Sequence, residues 1–195
     1  MANYDISGIT ETTALGVVSL AEAKNYLRVD FADDDDLIKD IILAVINKII
    51  VDTHYPIHAV QITEYFDQWP NNKFNTFRLR FGGQFGESDN FYLNYYNTSN
   101  QLVTMTVGSD YRYLSFNGLL EIEMRKTPNL FDRKNAINFS YDVKPVGKNA
   151  DTLKIAALML IQHYYDNRSA VSYLRVDEMP LGYKNIIQQY RNYIW

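Results

Sequence analysis

The chain has 195 residues, of which 47% are hydrophobic and 22% are charged, an ordinary globular composition that excludes a disordered polypeptide. Its 23 acidic and 19 basic residues give a net charge of −4, which disfavours autonomous binding to nucleic acid. Because the chain contains no cysteine, disulfides, thiolate metal sites and thiol nucleophiles are excluded.

Charge and residue pattern divide the chain into three parts. Residues 1–58 carry a net charge of −6, residues 59–146 carry no net charge, and residues 147–195 carry +2. The outer parts show the spacing of amphipathic helices, whereas the middle part alternates apolar and polar residues as strands do. The longest apolar run is interrupted by charges, so we expect no membrane span. The N-terminus lacks the pattern of a signal peptide. We therefore expect a soluble protein of a reducing compartment or of a particle.

The first part predicts two helices. Ser19 and Glu22 have the spacing of a capping box, which satisfies free N–H groups at a helix start, and this helix is expected to end near Arg28. The second helix follows the acidic run Asp33–Asp36 and ends before Pro56. Its apolar residues recur at helical spacing: Leu37, Ile38, Ile41, Ile42, Val45, Ile46, Ile49 and Ile50. Because so many of them are β-branched, burial rather than helix propensity must stabilise this helix.

The middle part predicts about seven short antiparallel strands. Strict alternation marks residues 77–81, 103–107, 120–124 and 137–143, and further strands fit near 60–68, 91–96 and 111–116. The pair Asn117-Gly118 is the preferred type I′ turn of a β-hairpin. These strands predict a small antiparallel sandwich or barrel.

The last part predicts two more helices, one capped by Asp151 and one opened by Pro180. The fold class is therefore α+β. A small helical bundle of about four helices is formed by residues 1–58 and 147–195. An antiparallel β-sandwich or barrel-like domain, residues 59–146, is inserted between the second and third helices.

Motifs for catalysis and metal binding are weak. The run Asp33–Asp36 lacks the central glycine and closing glutamate of a calcium loop, and favours helix capping or a solvated face. No zinc set can be assembled around the three histidines, and no nucleophile elbow or phosphate-binding loop is present. Glu121 and Glu123 share a strand face with Arg125, which favours a solvated face over a glycosidase pair. We expect no enzyme activity, no metal and no cofactor.

Aromatic side chains in the middle part leave one alternative function open. A sugar-stacking platform could be formed by five of them: Trp69, Tyr92, Tyr96, Tyr111 and Tyr113. Aromatic residues also fill the cores of β-sandwiches and subunit interfaces, which is the more common use. A carbohydrate-binding or adhesin-type module of a virion is the alternative on this basis.

Three stretches carry a resemblance to a known family. Residues 18–30, VSLAEAKNYLRVD, match an opening helix of the form L-x-E-A-K-x-x-L-R-V-D. Residues 154–168, KIAALMLIQHYYDNR, match a later helix that ends in H-x-Y-x-N-R, and residues 179–191 match its closing helix. In this order the chain resembles the head–tail connector proteins of tailed bacteriophages, also called adaptor or head-completion proteins. Residues 61–70 and the following Tyr-rich strands resemble, more loosely, the β-insertion of the longer members.

The resemblance implies a structural role in the virion, at the head–tail interface, after assembly in the host cytoplasm. Such proteins form rings, commonly of twelve subunits, beneath the portal. They extend the DNA channel and provide the docking surface for the tail or stopper. The implied partners are the portal protein, the downstream tail or stopper protein, further copies of this chain, and double-stranded DNA in transit without sequence-specific binding.

Two sets of interaction residues are predicted. Aromatic residues with an arginine dominate interface hot spots, and the C-terminal element of the resembled family commonly docks on the portal. The portal-docking candidates are Tyr190, Arg191, Tyr193 and Trp195, with Ile186 and Ile187 anchoring the helix to its own bundle. An acidic channel wall would let DNA slide, since each phosphate contact adds affinity. The channel-facing candidates are Asp33, Asp34, Asp35, Asp36 and Asp40.

Overall fold

A computed structural model describes residues 3–81, 91–116, 119–145, 149–167 and 179–190. The fold is α+β, with helices and antiparallel sheets in two compact units. The helical unit comprises Gly8–His58 and the described residues of 145–190. The β-unit comprises the described residues of Ala59–Lys144 and of the chain up to Ser7.

The helical unit contains five helices among the described residues. They are α1 (Glu11–Val17), α2 (Leu20–Leu27), α3 (Asp35–Thr53), α4 (Asn149–Asp166) and α5 (Leu181–Tyr190). The capping box predicted for the start of α2 is confirmed, because Ser19 Oγ accepts the N–H of Glu22 at 3.2 Å and the Glu22 carboxylate accepts the N–H of Ser19 at 3.0 Å. Arg28, with a φ of 59°, ends α2 in the left-handed conformation.

α3 is the centre of the helical unit and contacts each of the other four helices. Its apolar stripe is fully buried at Ile38, Ile42, Val45, Ile46, Ile49 and Ile50. Burying each such side chain stabilises the fold by about 1.5–3 kcal/mol, which offsets the low helix propensity of the β-branched residues. The helix ends where His54 turns left-handed and Thr53 Oγ1 donates back to the carbonyl of Ile49 at 2.7 Å.

Two features of the helical unit differ from the sequence analysis. α1 was not predicted, because it spans only seven residues; a reciprocal capping box between Thr10 and Thr13 stabilises its start. α4 begins at Asn149, so Asp151 lies in the first turn and is not the cap. Gly182 in α5 lies close to Met159 of α4, where an added Cβ would be 3.1 Å from the Met159 sulfur.

The β-unit contains eight antiparallel strands in two sheets among the described residues. They are β1 (Asn3–Ser7), β2 (Val60–Phe66), β3 (Thr76–Arg78), β4 (Phe91–Tyr96), β5 (Leu102–Thr104), β6 (Tyr111–Phe116), β7 (Leu119–Met124) and β8 (Ile137–Val143). One sheet has the order β1-β2-β8-β4-β5 and the other has the order β3-β7-β6.

The two sheets pack face to face as a sandwich, and aromatic rings form much of the core. Phe77 of β3 lies 4.6 Å from Phe66 of β2 and 4.9 Å from Phe139 of β8, measured between ring centroids. Phe91 of β4 lies 5.7 Å from Tyr111 of β6. Offset and edge-to-face pairs of this kind stabilise a core by about 0.5–1.5 kcal/mol beyond their buried area.

The structure adds one strand to those predicted and shortens two others. β1 pairs along its whole length with β2, from Asn3 opposite Tyr65 to Ser7 opposite Gln61. β3 and β5 are three-residue strands, each followed by one more cross-strand hydrogen bond, from Leu79 N–H to the Leu120 carbonyl and from Met105 N–H to the Leu93 carbonyl. Val107, expected on the inner face, is 53% exposed because a turn through Gly108 begins there. The predicted Asn117-Gly118 turn lies outside the described residues.

Candidate interaction surfaces

The acidic run before α3 connects that helix to its neighbours. Asp34 is the N-cap residue, but its side chain makes no capping hydrogen bond. Its carboxylate instead accepts the hydroxyl proton of Tyr165 in α4 at 2.5 Å. Asp35 forms an ion pair with Lys24 of α2 at 2.5 Å, and the same ammonium donates to the carbonyl of Phe31 at 2.7 Å. The capping role expected for this run is therefore wrong for the Asp34 side chain, which contacts a residue too distant in sequence to predict.

The remaining candidate aspartates face solvent. Asp36, whose side chain is 96% exposed, pairs with Lys39 one turn later at 2.8 Å. That hydrogen bond holds the pKa of Asp36 below its usual range. Asp33 and Asp40 are also exposed. Of the five channel-facing candidates, these three carry charge that another molecule can reach.

The C-terminal helix α5 packs on α3 and α4. Tyr183 is its deepest residue, with 1% exposure, and its hydroxyl donates to Asp52 of α3 at 2.9 Å. Burial and the Asp52 charge raise the pKa of Tyr183 far above its ordinary value, so this phenol stays protonated. Ile187 is buried at 6% exposure, whereas Ile186 is half-buried.

Of the four portal-docking candidates, the structure describes only Tyr190. Its ring lies 6.4 Å from that of Tyr55, centroid to centroid, and it is half-buried at the end of α5. Arg191, Tyr193 and Trp195 lie outside the described residues. The described part of α5 thus ends at the first of the predicted docking residues. The Tyr183–Asp52 hydrogen bond attaches the first turn of α5 to α3.

Glu64 of β2 is a buried carboxylate that the sequence analysis missed. It is 1% exposed, and its Oε1 accepts the hydroxyl proton of Tyr141 at 2.5 Å. The same oxygen accepts the backbone N–H of Arg80 at 2.7 Å and of Phe81 at 3.4 Å. Burial raises the pKa of Glu64, and these three hydrogen bonds partly oppose that rise. The signal was available, because Glu64 shares the inward parity of Val60, Ile62 and Phe66.

Glu64 anchors the segment after β3 beneath the N-terminal strand. The guanidinium of Arg80 lies 5.0 Å from the ring centroid of Tyr4, and the Tyr4 and Phe81 rings are 5.0 Å apart. Tyr4 of β1 therefore contacts the two residues whose amides bind Glu64. This cluster positions backbone and aromatic rings, and its geometry supports a structural role.

The five aromatic residues considered for sugar stacking do not form one platform. Tyr111 is 1% exposed and packs on Phe91 in the core. Trp69 packs on Tyr95 at 5.8 Å and donates its indole N–H to the carbonyl of Pro128 at 2.7 Å. Tyr92, at 48% exposure, is the most exposed of the five. Tyr111 is buried in the core, Trp69 is packed in a loop and Tyr92 is exposed, so these three rings do not share one surface.

The described residues show neither a metal cluster nor a membrane-spanning helix. No group of three or more His, Asp or Glu side chains in that part of the chain could hold a metal ion. No helix there is long and apolar enough to cross a bilayer. Glu121 and Glu123 are engaged in cross-strand ion pairs, with Arg78 at 2.8 Å and with Arg112 at 2.5 Å.

Three solved structures of gene transfer agent particles contain a chain with a similar fold. A chain in the virion of a native particle gives a TM-score of 0.71 at 17% sequence identity. Chains in the neck of a native particle with C12 symmetry and in the neck of an empty particle with C6 symmetry give 0.68 at 14% and 0.65 at 18%. Each comparison covers 100% of this chain and 97% of the other. At these identities the likeness shows the fold.

Comparison with protein-family models and with curated proteins finds no match.

Proposed function

We propose that this chain is a structural neck protein of a phage-like particle, a head–tail connector of the adaptor type. The observation that supports the proposal is full-length similarity of fold to chains of gene transfer agent particles, two of them from necks. The resemblance of the opening and closing helices to connector proteins points the same way. The role is structural and not catalytic, since the polar clusters of the described residues serve to position backbone and helices.

The proposed assembly is a ring of about twelve subunits beneath the portal, which extends the DNA channel and offers a surface to the tail or stopper. The C6 and C12 symmetries of the similar necks support a ring. Asp33, Asp36 and Asp40 are the proposed channel-facing residues, because their charges face solvent. Acidic side chains on a channel wall form no ion pairs with DNA phosphates, so they do not retain the passing duplex.

The proposed portal contact is the segment that continues α5, centred on Tyr190, Arg191, Tyr193 and Trp195. Within the described residues, Tyr183 and Ile187 bury the inner face of α5 against its own unit. Two domains, residues 1–58 with 147–195 and residues 59–146, are proposed to act as the connector body and its insert. The expected boundary shifts at the N-terminus, because β1 pairs with β2 and belongs to the β-unit.

The test is negative-stain imaging of the purified protein, alone and with the portal protein of the same particle. We expect images of rings, and of rings bound to the portal when the two proteins are mixed. A matched truncation that lacks residues 192–195 should keep its thermal stability and lose portal binding. A wild-type protein that forms no ring with or without the portal would contradict the connector role. A stable truncation that still binds the portal would contradict the docking assignment alone.

A further inference from the structure

Three loops of the β-unit meet at one end of the sandwich, which we name the loop end. The loop end consists of residues 67–75, 97–101 and 125–136. The backbone N–H of Asn135 donates to the Asp67 carboxylate at 2.6 Å, which joins the first loop to the third. The Arg133 guanidinium donates to Asn100 at 3.5 Å, which joins the third loop to the second. These bonds make the three loops one surface.

The loop end exposes large apolar side chains that its own unit does not cover. Phe74 is 70% exposed and Phe131 is 37% exposed. The ammonium of Lys73 lies 5.7 Å from the ring centroid of Phe74. By contrast Trp69, from the same loop as Phe74, is packed against Phe77 and Tyr95. Since the loop already has this packed anchor, the exposed phenylalanines are available for contact with another molecule.

The loop end is basic, although the chain is acidic. It contains five basic residues and two acidic ones, a net charge of +3: Lys73, Arg125, Lys126, Arg133 and Lys134 against Asp67 and Asp132. The whole chain carries −4, so the remainder carries −7. Asp110, from the adjoining turn, pairs with Lys126 at 2.5 Å, which lowers the net charge of this end from +3 to +2. The guanidinium of Arg133 stacks on Tyr96 at 3.9 Å from the ring centroid. A second copy of the chain is therefore a partner of opposite charge for this surface.

An open depression in the loop end favours a protein partner over nucleic acid. Leu130 and Phe131 contribute apolar surface to it, while Asp67, Arg133 and Lys134 contribute charge. Asp132 also lines the depression, so that its charges are two of each sign. An apolar area with a charged rim is the composition of protein interfaces, where aromatic residues and arginine are enriched. Asp67 would repel a phosphate backbone at the same place.

We infer that the loop end binds a second copy of this chain, so that the basic loops of one subunit contact the acidic surface of the next. This inference rests on the proposed ring and names one of its subunit contacts. Such a contact joins two different surfaces of the chain. Repeated from subunit to subunit, it forms a closed ring when the rotations between neighbours add up to a full turn. Its polar part weakens with salt, because exposed charges are screened beyond about 8–10 Å.

The first test compares charge reversals by sedimentation velocity, alone and with the portal protein. Lys73→Glu with Lys134→Glu should weaken ring assembly at least tenfold, and Phe74→Ser should weaken it without lowering the unfolding temperature. The single variants Lys73→Glu and Lys134→Glu are also compared with Arg28→Glu, the control with the same change of net charge, since Arg28 is exposed on the helical unit and lies outside the loop end. The control should assemble within about twofold of the wild type, so that a general effect of added negative charge is separated from loss of the contact.

The second test maps the contact directly. Rings assembled from equal amounts of ¹⁴N and ¹⁵N protein are treated with a carbodiimide, which joins an amine to a carboxylate in direct contact. We expect mixed-isotope peptides in which Lys73 or Lys134 is joined to an acidic residue of another copy. Rings that give mixed-isotope peptides from other lysines but none from these two would overturn the inference.

The outcomes separate the inference from the proposed function. Wild-type rings together with normal assembly of the loop-end variants overturn the inference and leave the connector role in place. A wild-type protein without rings, alone and with the portal, overturns both. Variants that assemble normally but lose binding to a DNA duplex overturn the inference in favour of nucleic acid as the occupant.

Discussion

Replacing Glu64 tests whether a buried charge limits the stability of the β-unit. Glu64→Gln keeps an acceptor oxygen for Tyr141 and for the amides of Arg80 and Phe81, but removes the charge. Burial raises the pKa of Glu64 above its ordinary value of 4.5. The folded protein therefore favours the protonated carboxyl, whose stabilising contribution is complete below the unfolded pKa and is lost as pH rises through the folded pKa.

The magnitude follows from the same linkage. Each unit of difference between the folded and unfolded pKa corresponds to about 1.4 kcal/mol in the free energy of unfolding. We expect the free energy of unfolding of Glu64→Gln to gain on that of the wild type as pH rises above about 4.5, by about 1.4 kcal/mol per pH unit until the folded pKa is passed. Glu64→Leu should instead destabilise the protein at every pH, because each buried group that loses its acceptor costs about 1–3 kcal/mol.

Urea unfolding followed by circular dichroism at several pH values measures these differences. Glu121→Gln is the control, since Glu121 is a half-exposed carboxylate on β7 whose pair with Arg78 is worth at most about 1 kcal/mol. A difference between Glu64→Gln and the wild type that is constant from pH 4.5 to pH 8 would refute a raised pKa. A stable Glu64→Leu would refute the role of the carboxylate as a shared acceptor.

Three further predictions concern the helical unit. Ser19→Ala removes the capping box of α2 and should cost about 1 kcal/mol in chemical denaturation, whereas Ser19→Asp should recover most of it; an unchanged Ser19→Ala protein would contradict the role of the cap. Tyr183→Phe removes the hydrogen bond to Asp52 and should cost about 1.5–3 kcal/mol. The added Asp52→Asn change should cost at most about 1 kcal/mol more, for the ion pair of Asp52 with Lys48, and fully additive losses would show that Tyr183 and Asp52 do not interact. Glu22 and Lys154 form an ion pair at 2.7 Å on the surface, and a double-mutant cycle should give a coupling energy below about 1 kcal/mol that falls in 1 M salt. A coupling energy that salt does not change would contradict a screened surface pair.

Local signals in the sequence predicted the elements whose ends are set by nearby residues. The capping box fixed the start of α2 at Ser19, and a two-residue period located the strands from β2 to β8. β1 escaped detection because it is only five residues long, so that its alternation rests on two apolar residues, Tyr4 and Ile6. It becomes a strand by pairing with β2. The partner strand β2 lies some sixty residues away in the sequence, and a local residue pattern gives no information about it.

The candidate sites show the same division between local and distant information. The sequence identified Asp34 as a residue near a helix start, but its partner Tyr165 is 131 positions away. For Glu64, strand parity indicated an inward side chain, whereas the amides that bind it belong to a segment beyond β3. Residue type and spacing thus located these groups, and tertiary packing decided what they contact.

The order in which the chain is made bears on how the helical unit folds. α3 ends at Thr53 and α4 begins at Asn149, with 95 residues between them. At a synthesis rate of about 5–20 residues per second, the apolar stripe of α3 waits roughly 5–20 s on the ribosome for the helix that covers it. The described residues of the β-unit, whose last strand ends at Val143, all emerge before α4. Nascent chains that have emerged from the ribosome only as far as residue 148 should therefore carry a folded sandwich and an exposed α3, and would be clients for chaperones that bind apolar helices.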